Sequence, residues 1–245
     1  APSSFRTKTD QAIMPMSSIS KKQTVGGNEN GYYTVFQTDR YGFKNPDSEW
    51  DKEIIEFLLI GDSFTHASSV NEPDTIAGNL RKLIPKGKGA LSLGQGGSGT
   101  LIEYATLREY LPLVNAKRVI CLYYEANDLI NLSDELKNET LLNYLDDKNF
   151  TQNLYLKQNA IDNMINEYIL NELEPYYRDR EDNHTLGSLQ RFVDMKQINW
   201  FYFIKLYKVR SLTIEKLLRS PNKEFMKILK LLKEFTENNG ASFYF

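Results

Sequence analysis

The stretch that most constrains the fold is a run of four apolar residues that stops at a polar triplet. Phe57 to Ile60 are all apolar, and Gly61-Asp62-Ser63 follows directly. A short apolar run bounded by turn residues predicts a strand buried on both faces, as in a parallel sheet covered by helices. A helical pattern returns over residues 74–83. We therefore expect Ser63 at the carboxyl end of a central strand, where open α/β sheets place their ligands.

Two further apolar runs repeat this arrangement. Ala90 to Leu93 leads into residues 94–99, which contain four glycines, and Val119 to Tyr123 leads into Asn127-Asp128. A second helix is predicted over residues 101–113, between these two runs. The alternation of strands and helices predicts a three-layer α/β/α sandwich with a flavodoxin-like parallel sheet. In that order the strand Phe57–Ile60 lies between the other two.

The three strand ends carry groups suited to acyl transfer. A serine hydroxyl can act as a nucleophile, and glycine-rich backbone can direct N–H groups at a ligand. The Asn127 side chain can donate an N–H to a developing oxyanion. The alternative interpretation of Gly61-Asp62-Ser63 is an ordinary turn after a strand.

These residues resemble the SGNH or GDSL hydrolase family over residues 39 to 130. Gly61-Asp62-Ser63 matches its first block, Gly97 best matches its second, and Glu125-Ala126-Asn127-Asp128 matches its third. Glu125 departs from the glycine of that third block. The segment Tyr41 to Pro46 is similar to the lead-in of one bacterial branch of the family.

The resemblance implies a site and a chemistry. Ser63 would be the nucleophile, and the Ser63 N–H, the Gly97 N–H and the Asn127 side chain would form the oxyanion hole. It implies neither a cofactor nor a metal. The substrate would be a small acyl ester or an acylated glycan.

The family takes its catalytic base from an Asp-x-x-His block, and this block does not occur in the 245 residues. The two histidines are His66, three residues after Ser63, and His184, in a charged stretch. Neither is favoured as the base. We expect the missing block to lie beyond Phe245, in a longer parent protein, and we expect residues 1–245 alone to be nearly inactive.

Composition excludes some classes of partner. With 30 Lys and Arg against 32 Asp and Glu, the net charge of −2 gives no basis for nucleic-acid binding. Cys121 is the single cysteine, so an intrachain disulfide framework is excluded. A membrane anchor would have to lie outside this chain, because no apolar run has the length of a span. A leader removed before residue 1 would favour an extracytoplasmic location, and the oligomeric state is open.

The remaining segments divide the chain. We expect an N-terminal arm over residues 1–50, in which Tyr41 or Phe43 either lines the site or is inert, and the α/β domain over residues 51–245. Within the domain, residues 131–220 are predicted to be a helical insertion that either packs against the sheet or forms a lid. A helix over residues 222–239 and a further strand from Ala241 complete the prediction.

The sequence supports two main classes of function. The first is a serine esterase acting on small O-acyl groups, such as glycan O-acetyl groups, with an O-acyltransferase as a variant. The second is a catalytically inactive module of the same fold that binds a glycan or a protein partner. A phosphate-binding flavodoxin-like domain is a third alternative, but no basic residue stands beside the glycine loop.

Overall fold

A computed structural model describes residues 13–27, 31–124, 127–175 and 223–245. The chain divides into two compact units, the first made of residues 1–163 and 222–245 and the second of residues 164–221. The first unit contains all of the described strands. Within the described residues, no helix combines the length and apolar character that a membrane span requires.

The described elements alternate between strand and helix, with short 3₁₀ helices between them. The strands are β1 (Gln23–Val25), β2 (Val35–Gln37), β3 (Ile55–Gly61), β4 (Gly89–Ser92), β5 (Arg118–Leu122) and β6 (Ser242–Tyr244). The α-helices are α1 (Ser63–His66), α2 (Ile76–Leu83), α3 (Thr100–Tyr110), α4 (Asp128–Glu135), α5 (Glu139–Asp146), α6 (Gln158–Tyr168) and α7 (Lys223–Asn238). The 3₁₀ helices are Asp47–Asp51, Glu72–Asp74, Leu111–Leu113 and Leu154–Leu156, and a π-helix covers Ile169–Leu173.

A four-stranded parallel sheet in the order β4-β3-β5-β6 forms the centre of the first unit. Leu58 of β3 pairs with Leu91 of β4 and with Val119 of β5. The prediction that the strand ending before Ser63 lies between the other two is therefore confirmed. The strand predicted from Ala241 is also confirmed, since β6 pairs with β5.

Helices flank this sheet and bury its central strand. Leu58, Leu59 and Ile60 have no solvent exposure, so both faces of β3 are covered, as its continuous apolar sequence predicts. Helix α2 contacts β3 and β4, whereas α3 contacts β3 and α7. Right-handed crossovers would place α2 on one face and α3 with α7 on the other. The arrangement is compatible with a three-layer α/β/α architecture.

The N-terminal segment differs in detail from the prediction. Residues 23–25 and 35–37 of the predicted arm form the strands β1 and β2, which pair antiparallel, and the polar sequence of β1 gives no strand signal. The Phe43 ring packs edge-on against Tyr110 at 4.9 Å, and the Tyr41 ring lies 5.7 Å from the same tyrosine. The described ring contacts of Tyr41 and Phe43 are therefore packing contacts with the end of α3.

The described part of the predicted insertion, residues 131–175, is helical, and its first half packs on α3. The buried Arg108 guanidinium of α3 donates hydrogen bonds to four backbone carbonyls, those of Tyr144, Asp147, Lys148 and Phe150. The Glu109 carboxylate accepts from the Tyr144 hydroxyl and from the N–H groups of Gln152 and Leu154. Of the two expectations for the insertion, packing or a lid, these contacts therefore favour packing for residues 139–156. Residues 176–220 of the predicted insertion lie outside the described residues.

Candidate active site

The carboxyl end of β3 presents Ser63 to solvent. Gly61 ends the strand with φ +155°, and a Cβ built on it would lie 2.1 Å from the Thr65 hydroxyl oxygen, so this position requires glycine. The Asp62 carboxylate caps α1 by accepting the Phe64 N–H at 2.9 Å. Ser63 is the first residue of that short helix, and it is exposed. Its position agrees with the sequence prediction.

The Asp62 carboxylate joins Ser63 to Asn127. The Asp62 Oδ2 atom lies 3.4 Å from the Ser63 hydroxyl oxygen and 3.3 Å from the Asn127 amide nitrogen. The amide group must present its nitrogen to this carboxylate, because its oxygen would be repelled. The NH₂ group has a second hydrogen, which is available to another acceptor. The structure thus brings together two of the three predicted site residues, Ser63 and Asn127.

The glycine loop after β4 lies beside the serine. A Cβ built on Gly96 would be 3.9 Å from the Ser63 Cβ, so Gly96 is the loop residue with a described approach to the serine. Gly97 lies in the same turn with φ +77°. Among the described residues, no hydrogen-bond acceptor is present for the N–H groups of Ser63, Gly96 and Gly97. The role predicted for the Gly97 N–H stays a prediction, and the approach of the neighbouring Gly96 to the serine was missed by sequence reasoning.

Buried acids lie beneath the site. Glu103 of α3, Asp128 and Glu135 of α4, and Asp62 are all less than 9% exposed. Burial raises the pKa of Glu103 well above its usual range, and the nearby Asp128 carboxyl adds to this shift. Burial also raises the pKa of Asp128 to about 7, with a further contribution from the Asp62 charge. The Glu103 and Asp128 carboxyls therefore hold protons more tightly than exposed ones.

Two of these acids have clear structural partners. The Glu135 carboxylate accepts from the N–H groups of Gly99, Leu101 and Ile102 and so caps the N-terminus of α3. Asp128 Oδ2 accepts the Tyr124 N–H at 2.6 Å.

Burial raises the pKa of the Cys121 thiol, which lies 3.6 Å from the Glu103 carboxyl. That thiol is therefore held in its protonated form and is not a competing nucleophile.

The lead-in segment before β3 fixes both loops of the site. The Lys44 ammonium donates to the carbonyls of Ala67 and Val70, directly after α1, and its nitrogen lies 4.4 Å above the Phe36 ring. Burial lowers the pKa of Lys44 to about 8, so most of the ammonium keeps its proton at pH 7. Asn45 holds the other loop, the one that follows β4. The resemblance pointed to this segment without indicating either contact.

At the end of β4, the side chain of Asn45 makes the hydrogen bonds that the backbone of a neighbouring strand would otherwise make. Its side-chain amide accepts the Ser92 N–H at 2.8 Å and donates to the Ser92 carbonyl at 2.9 Å. The same amide donates to Asp39 and accepts from Arg81. This pairing fixes the strand end from which the glycine loop departs.

The histidines and the third family block are only partly described. The ring of His66 makes an edge contact with Phe36, with centroids 5.9 Å apart. His184 and Glu125, the residue that departs from the family pattern, both lie outside the described residues.

A cavity of about 490 Å³ opens beside the serine. Asp62 and Phe64, the residues on both sides of Ser63, form part of its wall, whereas Ser63 itself is not among the lining residues. The lining residues are Asp62, Phe64, Ile76, Cys121, Leu122, Tyr123, Tyr124 and Phe245.

Comparisons with protein-family models, with curated proteins and with solved structures find no match to this chain.

Proposed function

We propose that this protein is a serine ester hydrolase of the SGNH type, with Ser63 as its nucleophile. The observation that carries the proposal is the convergence of Ser63 and Asn127 on one carboxylate, at 3.4 and 3.3 Å from Asp62 Oδ2. An exposed hydroxyl at the carboxyl end of the central strand, with backbone and amide N–H donors beside it, has the parts that acyl transfer requires. The flavodoxin-like strand order adds support.

The reaction has two steps. The Ser63 oxygen forms a bond with the ester carbonyl carbon, and the alkoxy group departs as an alcohol after the serine proton has been transferred. Water then attacks the acyl-serine and releases the carboxylic acid. In both steps negative charge develops on the carbonyl oxygen. The second Asn127 hydrogen and the N–H groups of Ser63, Gly96 and Gly97 are the donors that we assign to that oxygen.

The serine proton also needs an acceptor. The Asp-x-x-His block that serves the resembled family does not occur in residues 1–245, so we expect slow turnover from this chain. A test substrate should therefore have a leaving group that needs no protonation. p-Nitrophenyl acetate meets this condition, since p-nitrophenolate is stable as an anion at pH 8.

The test is hydrolysis of p-nitrophenyl acetate together with mass spectrometry of acid-quenched protein. We expect an acetyl group on Ser63 and loss of the signal in Ser63→Ala. Asn127→Ala should lower kcat by about 10²–10³, the usual effect of removing one oxyanion donor. Ser133→Ala and Asn143→Ala are matched controls at exposed positions and should behave as wild type.

Hydrolysis that survives Ser63→Ala would contradict the proposal, and a wild-type protein that neither hydrolyses the ester nor becomes acetylated would favour the non-catalytic module of the same fold. An O-acyltransferase would use the same acyl-serine, with an alcohol in place of water. Adding methanol to the assay separates these two enzymes, because a transferase forms methyl acetate faster than acetate. The exposure of Ser63 leaves room for either acceptor.

A further inference from the structure

The cavity beside Ser63 is apolar, although the site around the serine is rich in carboxylates. Phe64 and Tyr124 form one wall, with ring centroids 4.5 Å apart and ring planes inclined at 53°. Phe64 is 59% exposed, Ile76 44% and Tyr124 40%. Large apolar side chains that stay exposed next to a reactive group are typical of a ligand surface. From this wall we infer what the site accepts.

We propose that this cavity binds the hydrocarbon chain of a medium-length acyl group, with Phe64, Ile76 and Tyr124 as its contact surface. The proposal rests on the proposed function of Ser63 and names the substrate class of that site. The wall includes residues on both sides of Ser63. A chain lying along it would therefore bring its own carbonyl carbon to the serine oxygen.

The lining favours a hydrocarbon chain over a sugar. A sugar ring needs several hydrogen-bond partners for its hydroxyl groups, and the carboxylate in this wall, Asp62, already accepts from the Phe64 N–H and from Asn127. The inclined Phe64 and Tyr124 rings form a cleft instead of a flat stacking platform. A volume of about 490 Å³ exceeds what an acetyl group fills.

The first test is the dependence of kcat/KM on acyl length, measured with the p-nitrophenyl esters of acetate, butyrate, hexanoate and octanoate. Each added methylene that reaches the cavity should raise kcat/KM about threefold to fourfold, because that factor corresponds to the free energy of burying one CH₂ group. Phe64→Ala and Tyr124→Ala should lower the octanoate-to-acetate ratio of kcat/KM roughly fivefold. Tyr33→Ala removes an aromatic residue that is 68% exposed on the N-terminal arm, and it should leave the ratio unchanged.

The second test separates this proposal from the proposed function. Octanamide is a neutral analogue that is not an ester, and its binding can be titrated by calorimetry with the Ser63→Ala protein against acetamide. Octanamide binding that is weakened by Phe64→Ala, together with an absence of esterase activity in the wild-type protein, would support the acyl cavity and reject the hydrolase. Esterase activity that is independent of chain length, without octanamide binding, would overturn the acyl cavity and retain the hydrolase.

Discussion

The Asp128 carboxyl lies directly after Asn127 in the chain and has no solvent exposure. Its pKa is raised to about 7 from 3.8, first by burial and then by the charge of Asp62. Between about pH 4 and pH 7 the folded protein therefore keeps a proton that the unfolded chain has released. Since the unfolded state binds fewer protons in this interval, the free energy of unfolding falls as the pH rises.

Asp128→Asn mimics the protonated carboxyl and should remove this part of the pH dependence. We expect the variant to be more stable than wild type at pH 8, by on the order of 1–2 kcal/mol after allowance for screening by solvent, and close to wild type at pH 4. Urea unfolding at the two pH values measures the difference. Asp134→Asn, on the same helix but with a 60% exposed side chain, is the control, and the same shift in both variants would contradict the explanation.

At the scale of elements, the contacts that hold the site come from the segment before β3. Asn45 uses both ends of its side-chain amide at the end of β4, accepting the Ser92 N–H at 2.8 Å and donating to its carbonyl at 2.9 Å. The donor end also faces the Asp39 carboxylate. An acidic side chain of the same shape would place oxygen where nitrogen now donates.

Asn45→Asp should therefore lower the free energy of unfolding by about 3 kcal/mol, because two acceptors lose their donor and a new carboxylate faces Asp39. The effect can be measured by urea unfolding at pH 7. The exposed Asn143→Asp serves as the matched control. Equal stability of the two variants would show that the amide of Asn45 does not fix β4.

The sequence predicted the elements whose signal is local. The strands β3, β4 and β5 are built around mainly apolar runs, and burial under helices is what such runs require. Ser63 and Asn127 could be placed because parallel strands end at the same edge of a sheet. The Asn45 amide and the buried Glu103 could not, since their partners are 47 and 18 residues away. Gly96 was missed because adjacent glycines give the same sequence signal.

At the scale of the whole molecule, stability should be unevenly distributed between the two described sheets. The central strands β3 and β5 lie in the parallel sheet under helices, whereas β1 and β2 form a two-stranded ribbon with Val25 64% exposed and Val35 55% exposed. An isolated two-stranded ribbon is marginally stable. Local opening should therefore be easier in the ribbon than in the central sheet.

Native-state amide hydrogen exchange followed by mass spectrometry can check this. We expect the amides of residues 58–60 and 119–121 to exchange only through global unfolding, and those of residues 24–25 and 35–37 to exchange several orders of magnitude faster. Addition of urea should accelerate exchange in the first set and leave the second nearly unaffected. Equal protection in both sets would mean that the ribbon and the central sheet open as one unit.

The Asp62 carboxylate, which lies beside both Ser63 and Asn127, has a consequence for the charge of a substrate of the proposed enzyme. This carboxylate lies 3.4 Å from the Ser63 hydroxyl, whereas burial raises the pKa of the nearby Glu103, which therefore keeps its proton and adds no negative charge. A phosphate ester or a carboxylate-bearing acyl group would bring a second negative charge into this field, at a cost that increases as water leaves the cavity. Neutral esters escape that repulsion. If Ser63 is the nucleophile that we propose, Asp62 would therefore also select substrates by their charge.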